Sequence, residues 1–185
     1  EPGSRVWFST SNNAKRKYRH SLEIVETAKS HLAYVNTLRI NRIVEEALTS
    51  RIIDIGANPG SKIVREVPIP GESGRFDFSV DEILIEVKSV TYERGGVGYF
   101  PDAVSVRATR HVRALERCRA DGMRAILLFC VAHSGVNRVT TANRIDPVYA
   151  SAVRDALDQG VEVIAFGCSI SPVEIAVTHS IPFAM

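Results

Sequence analysis

Arg75-Phe76-Asp77-Phe78-Ser79-Val80, Asp81-Glu82 and Ile83-Leu84-Ile85-Glu86-Val87-Lys88 make up the stretch on which the reading of this chain turns. Its two arms alternate with period two and are rich in Phe, Val and Ile, the pattern of a β-hairpin. A turn centred on Asp81-Glu82 pairs Val80 with Ile83, Phe78 with Ile85 and Phe76 with Val87, which makes one face wholly apolar. The other face then pairs Ser79 with Leu84, Asp77 with Glu86 and Arg75 with Lys88. Like charges directly opposite each other across a ladder are destabilising. Asp77 set against Glu86 therefore points to something that neutralises both, and a divalent cation held by oxygen ligands would do so. Lys88, two residues beyond Glu86, projects on the same face. Asp-Glu is an unusual two-residue turn, because such turns favour Gly or Asn at positive φ. A four-residue loop over 80–83 keeps the same pairing, whereas a three- or five-residue loop flips one strand's faces. The apolar match on the opposite face argues against that shift.

Working outward, 185 residues allow one compact domain or one domain with a small appendage, and 45% hydrophobic content suffices for a sizeable core. No apolar run approaches a membrane span and no signal peptide is visible, so no membrane association is expected. The chain opens on Glu1 rather than Met, which leaves a longer precursor or an internal start open. Cys118, Cys130 and Cys168 are odd in number and never form C-x-x-C, which favours buried structural thiols in a reduced, cytoplasmic protein over a disulfide or zinc framework. Net charge is only +2, but residues 1–40 carry seven Lys or Arg against three acidic residues, so the basic excess lies at the N-terminal end. Arginine supplies 18 of the 23 cations, and its planar fork suits phosphate, although biased codon usage would give the same count.

The pattern predicts strands over 4–9, 22–25 and 31–35 around a basic loop at 11–20, too few strands to close a sheet alone. Thr37 is a plausible N-cap for a helix over 38–49 with Ile40, Ile43, Val44, Ala47 and Leu48 on one face. A loop at Asn58-Pro59-Gly60, a strand over 62–69, a turn at 70–74 and the hairpin follow. Glycine-rich 93–98 reads as a loop. A helix over 103–120 stops at Asp121-Gly122, a buried strand covers 124–131, and 132–144 reads as irregular. Pro147 opens a helix over 147–158, and strands at 161–166 and 175–178 close the chain. From Thr37 on, helix, three strands, helix, strand, helix, strand implies a mixed α/β sheet with helices on both faces.

Asp, then Glu-x-Lys on the next strand after a first helix, is similar in order to the PD-(D/E)XK nuclease core. In that reading Asp77 and Glu86 hold Mg²⁺ (or Mn²⁺), with the Val87 carbonyl as a further ligand. Lys88 orients water or neutralises charge, and Glu46 on the first helix is the extra acid, with Glu45 beside it as the alternative that helical register decides. The bland alternative is a solvated hairpin face of mixed charge. Arg107, Arg110, Arg113 and Arg117 form a helical stripe that could track a phosphate backbone, with His111 beside it near a scissile phosphate; an ordinary solvated helix face would look the same. Lys15-Arg16-Lys17-Tyr18-Arg19 fits phosphate contacts with base stacking on Tyr18, or simply a soluble loop. His133-Ser134 lacks a third partner for a hydrolase triad. Gly95-Gly96-Val97-Gly98 lacks the Lys-Ser/Thr ending of a phosphate loop and reads as a flexible loop beside the site.

The runs Val6 to Tyr18, Val35-Asn36-Thr37, Asn41-Arg42, Arg75 to Phe78, Ile85 to Thr91, Gly98-Tyr99-Phe100-Pro101-Asp102-Ala103, His133-Ser134 and Ile145-Asp146 to Tyr149 resemble the sugar fermentation stimulation protein (SfsA) family across essentially the whole chain. The resemblance implies an OB-fold-like β-barrel followed by a PD-(D/E)XK nuclease-like domain, here divided as 1–36 and 37–185. Family members normally begin a few dozen residues earlier, so the chain would start inside the barrel, in keeping with the shortage of strands. The resemblance also implies DNA binding, a link to sugar-utilisation genes, and Glu46, Asp77, Glu86 and Lys88 as the nuclease-like positions. The expectation is a Mg²⁺-dependent nuclease that binds DNA without strong sequence specificity, a homodimer being compatible with it. Its rival is a non-catalytic DNA-binding regulator of sugar-utilisation (maltose-type) genes. A sugar sensor has no support beyond the family's name.

Overall fold

The computed structural model describes residues 3–185, so the first two residues of the expected 1–36 unit lie outside the described part. The elements run β1 (Val6–Thr10), β2 (His20–Glu26), β3 (Leu32–Tyr34), a 3₁₀ turn (Thr37–Arg39), α1 (Ile40–Thr49), β4 (Ile63–Pro68), β5 (Arg75–Val80), β6 (Ile83–Val90), β7 (Tyr92–Arg94), β8 (Val97–Phe100), α2 (Val106–Ala120), β9 (Ala125–Val131), β10 (Arg138–Thr141), α3 (Pro147–Asp158), β11 (Glu162–Ile170) and β12 (Ile175–Ile181). Among the described residues they form a mixed α/β architecture of three α-helices and three sheets. The central sheet has the order β12-β11-β9-β6-β5-β4. Its β6–β9 and β9–β11 pairs are parallel, and its outer pairs are antiparallel.

The centre of that sheet explains both layers. Every residue of β9 is buried, as a parallel strand covered on both faces requires. Leu127, Phe129 and Val131 face α2 and α3, packing with Val112, Leu115, Tyr149 and Val153. Ile126, Leu128 and Cys130 face α1, whose Ile40, Ile43, Val44, Ala47 and Leu48 are all buried. That is the helix face expected from spacing. The helix start differs: Thr37 opens the 3₁₀ turn, and Arg39 precedes α1 without a side-chain cap. Ser105 and Asp146 do cap their helices, accepting from Ala108 N–H and Tyr149 N–H.

The β5–β6 hairpin has the expected turn. Phe78 pairs with Ile85, Ser79 with Leu84 and Val80 with Ile83, and Asp81 accepts φ 53°. Its carboxylate takes the Ser61 hydroxyl at 2.6 Å, and its carbonyl takes the Ser79 hydroxyl at 2.8 Å. The ladder stops at Phe78–Ile85, so the expected pairs Asp77–Glu86, Phe76–Val87 and Arg75–Lys88 do not form. Phe76 packs on the α2 side with Leu84, whereas Phe78 packs on the α1 side with Ile85, so the strand's alternation breaks at Asp77. Opposite it on β4, Glu66 sits at φ 53° and drops out of the β4–β5 pairing. The strands part where the two like charges would have faced each other across the ladder.

Two other regions differ from the sequence reading. Glycine-rich 93–98 is not a loop but the end of a β7–β8 hairpin whose turn is Gly95-Gly96, and the segment read as irregular contains β10, which pairs in parallel with β8. The β1–β2–β3 sheet docks on the main body through β3: Tyr34 N–H donates to Ala132 O, Ser134 N–H to Leu32 O, and Ala33 bridges His133. All three cysteines are buried and free, with Cys130 and Cys168 sulfurs 3.6 Å apart. No helix among the described residues is long and apolar enough to cross a membrane.

Candidate functional site

Where β5 and β6 part, their polar side chains converge. Asp77 turns into the gap, and its Oδ2 accepts the Val87 N–H at 2.7 Å in place of a strand carbonyl. Its Oδ1 accepts from Asn41 Nδ2 at 2.7 Å, which ties α1 to the site. Glu86 is 3% exposed. Its Oε1 accepts from Lys88 Nζ at 2.5 Å and from His111 Nδ1 at 2.6 Å. Its Oε2 is buried and has no hydrogen-bond partner among the described residues. The two carboxylates respond oppositely. Burial and the Glu86 charge push the Asp77 carboxyl up, against the Val87 and Asn41 hydrogen bonds. Burial also pushes Glu86 up, but the His111 hydrogen bond and the Lys88 ammonium outweigh it and hold the carboxyl low. A cleft of about 280 Å³ opens beside them, lined by Asn41, Lys88, Thr91, Phe100 and Asp102 among others.

Other residues singled out in the sequence stand elsewhere. Glu46 is exposed and paired with Arg42 at 3.0 Å, outside this cluster. Glu45, one turn beyond Asn41 on the same face, is ion-paired with Arg65 of β4. The helix residue that reaches Asp77 is Asn41, an amide where the sequence points to an acid. His111 does not lie on the exposed arginine stripe: it is 2% exposed beneath Glu86, with Nε2 unpartnered. Arg113 joins α2 to α3 by bonding Glu116 and Asp155, both at 2.8 Å, and Arg117 pairs with Glu72 at 2.9 Å. Arg107 and Arg110 are exposed and lack a carboxylate partner among the described residues. Lys15, Arg16, Lys17, Tyr18 and Arg19 are all exposed between β1 and β2, with Lys17 Nζ 5.2 Å from the Tyr18 ring centre.

The family model described as sugar fermentation stimulation protein RE domain matches residues 38–174. The chain belongs to the sugar fermentation stimulation protein family. A sugar fermentation stimulation protein homolog of Shewanella halifaxensis is 42% identical over 185 residues, covering 97% of this chain and 79% of that protein. One from Pseudomonas savastanoi pv. phaseolicola is 43% identical over 182 residues, covering 95% of this chain and 76% of that protein. Among solved structures, Pyrococcus furiosus SfsA, described as a complex with Ca²⁺, superposes with a TM-score of 0.88 at 25% identity, covering 100% of this chain and 80% of that one.

Within the family fold, the donor set can be tested for a divalent cation. No group of three or more His, Cys, Asp or Glu suited to a metal occurs among the described residues. Mg²⁺ needs fewer: one or two carboxylates, with water and substrate phosphate completing its shell. Asp77 and Glu86 supply two, and the partnerless Glu86 Oε2 is a buried acceptor that no protein donor satisfies. A cation beside it would also offset the charge that raises Asp77. The residues present fit the ion.

Proposed function

We propose that this protein binds DNA and hydrolyses its phosphodiester bonds at a divalent-cation site built on Asp77, Glu86 and Lys88, in a PD-(D/E)XK-type domain that follows an OB-fold-like β unit. The observation that carries the reading is Glu86: a buried carboxylate with one oxygen held by Lys88 and His111 and the other unpaired, next to a second carboxylate that feels its charge. The Ca²⁺ complex of the Pyrococcus furiosus relative supports the cation. When bound, Mg²⁺ or Mn²⁺ lowers the pKa of a coordinated water and stabilises charge developing on phosphate. The chain's own residues do the rest. Asn41 and the Val87 N–H fix the Asp77 carboxylate; His111 fixes Glu86 from below. Lys88 lines the open cleft and brings its ammonium to a phosphate oxygen or an attacking water there. Arg107, Arg110 and the Lys15–Arg19 loop supply backbone contacts that carry no sequence information.

A second reading has its own observation. Glu46 is turned away, which leaves two carboxylates, one already engaged by Lys88 and His111. That would suit a non-catalytic DNA-binding regulator that keeps the fold. The deciding experiment is cleavage of labelled single- and double-stranded DNA in Mg²⁺, Mn²⁺ or EDTA, with Glu86→Ala and Lys88→Ala alongside. Metal-dependent cleavage that drops at least about 100-fold in both variants is the expected result. Salt-sensitive binding without cleavage, unchanged in both variants, would establish the regulator instead. In parallel, Ca²⁺ should raise the Tm of the parent and not of Asp77→Asn. That variant should fold, because its carbonyl can keep the Val87 N–H while the Asn41 amide turns to accept.

A further inference from the structure

We propose that the cleft between the β7–β8 hairpin and residues 141–145 holds an unpaired nucleotide strand, with a base stacked on Tyr92 and Tyr99 and phosphates on Arg94 and Arg144. The inference rests on the nucleic-acid reading above and extends it to the kind of strand the site receives. Tyr92 pairs with Tyr99 across the hairpin and Arg94 with Val97, so both rings and the guanidinium share one face. Glu93 takes the other face, where its carboxylate accepts the Gly96 N–H at 2.6 Å and pairs with Lys29. The tyrosine rings lie 5.7 Å apart and are tilted by 44°, and Tyr92 is 38% exposed, so an aromatic face remains open to a ligand.

The cleft they line measures about 470 Å³, within the roughly 300–1,000 Å³ of ligand-sized sites. Arg94 and Arg144 are its only charged lining residues. Both are exposed, and neither has a carboxylate partner among the described residues. Two unpaired guanidiniums in a concave site favour an anion, and the planar guanidinium fork can hold two oxygens of one phosphate at once. Asn143 adds an amide that can reach a base edge. Stacking on tyrosine requires a base face, which a duplex keeps inside its own stack; the occupant is therefore unpaired.

The cleft of the carboxylate site is the near neighbour of this one in sequence, reached through adjacent residues that project from opposite faces of the ribbon. Thr91 and Phe100 line the cleft that contains Lys88 and Asn41. Tyr92 and Tyr99, the next residues along each strand, line this one.

The test is fluorescence anisotropy of labelled oligothymidylate, oligouridylate and a blunt duplex on the full chain in EDTA, where no cleavage occurs. Tyr92→Ala should weaken binding of an unpaired strand at least about fivefold and Tyr92→Phe should restore it, as base–aromatic stacking requires. The duplex should change less than about twofold. The Arg94→Ala, Arg144→Ala double variant should reduce the salt slope on the unpaired strand by about 1.4, near 0.7 per phosphate contact. Loss on either the deoxy or the ribo strand supports the proposal, and the larger loss names the strand. Loss on neither, or equal loss on the duplex, overturns it. Failure is separable from that of the hydrolase: Mg²⁺-dependent cleavage with no Tyr92 dependence removes this cleft alone, while Tyr92-dependent binding without cleavage removes the hydrolase and leaves the cleft.

Discussion

Glu23 of β2 accepts from Ser9 Oγ at 2.6 Å, Tyr34 Oη at 2.9 Å and Asn36 Nδ2 at 3.1 Å, and Arg39 stands 3.9 Å away. Burial pushes its carboxyl up, but those three hydrogen bonds and the Arg39 charge together bring it below its ordinary 4.5. A carboxyl with a lower pKa in the folded state stabilises the fold above its unfolded pKa, and that contribution disappears as pH falls through the folded value. Glu23→Gln should therefore cost on the order of 1 kcal/mol at pH 7. The difference should shrink below about pH 4.5 and vanish at still lower pH. Urea unfolding of both proteins across pH 2.5–7 measures it, and parallel curves across that range would contradict it. Glu86 is arranged differently, with one oxygen satisfied and the other left without a donor. The sequence singled out Glu86, Asp77 and Lys88 because their spacing on adjacent strands is local. It did not distinguish Glu23, whose partners come from β1, β3 and the turn after it. Asn41 is less legible for a related reason: it is an amide where the chemistry suggests an acid, and its value lies in orienting Asp77. His111 reads from the sequence as a neighbour of the arginine stripe, yet one residue turns a helical side chain by about 100°, enough to move it from solvent to core.

At the scale of elements, the helices and the central hairpin were legible because their signals are local: the apolar face of α1, Asp121-Gly122 after α2, Pro147 at the start of α3. β8 and β10 were not. Their pairing is parallel and joins segments separated by α2 and β9, and neither strand is long enough to announce itself. Gly95-Gly96 looked like a flexible loop, since glycine signals a turn without saying that strands flank it. Gly98 has a packing role instead. A Cβ there would stand 2.9 Å from both Val90 Cγ1 and Val136 Cγ1, and both valines are buried. Gly98→Ala should cost about 1–3 kcal/mol through overpacking and move β8 away from β6. Because β8 carries Tyr99, the same change should weaken unpaired-strand binding more than duplex binding. Denaturant unfolding and the anisotropy assay report the two effects; an Ala variant as stable as the parent would mean that β8 has room the fold does not display.

Across the whole molecule, the open question is whether the β1–β3 sheet behaves as a unit of its own. The expected division at 36/37 came from a change in sequence character and from the family resemblance, and sequence character cannot register how two units pack. The α1-side core runs without interruption from Trp7, Ile24, Leu32 and Tyr34 of the small sheet, through Ile40 and Val44, to Ile85, Leu128 and Cys130 of the large one. Backbone hydrogen bonds from Tyr34 to Ala132 and from Ser134 to Leu32 cross the same seam. Removing the small sheet would strip apolar cover from that core at about 25 cal/mol for each Å² exposed, so the two parts should not separate before either unfolds. Trp7 is the chain's single tryptophan and lies on the small sheet, while α1, α2 and α3 dominate the far-UV signal. Tryptophan fluorescence and far-UV circular dichroism should accordingly give one coincident urea midpoint. A fluorescence transition that precedes the loss of helix would show instead that the small sheet detaches first. In that case the Lys15–Arg19 loop, which this sheet carries, would hold its exposed charges on a mobile platform.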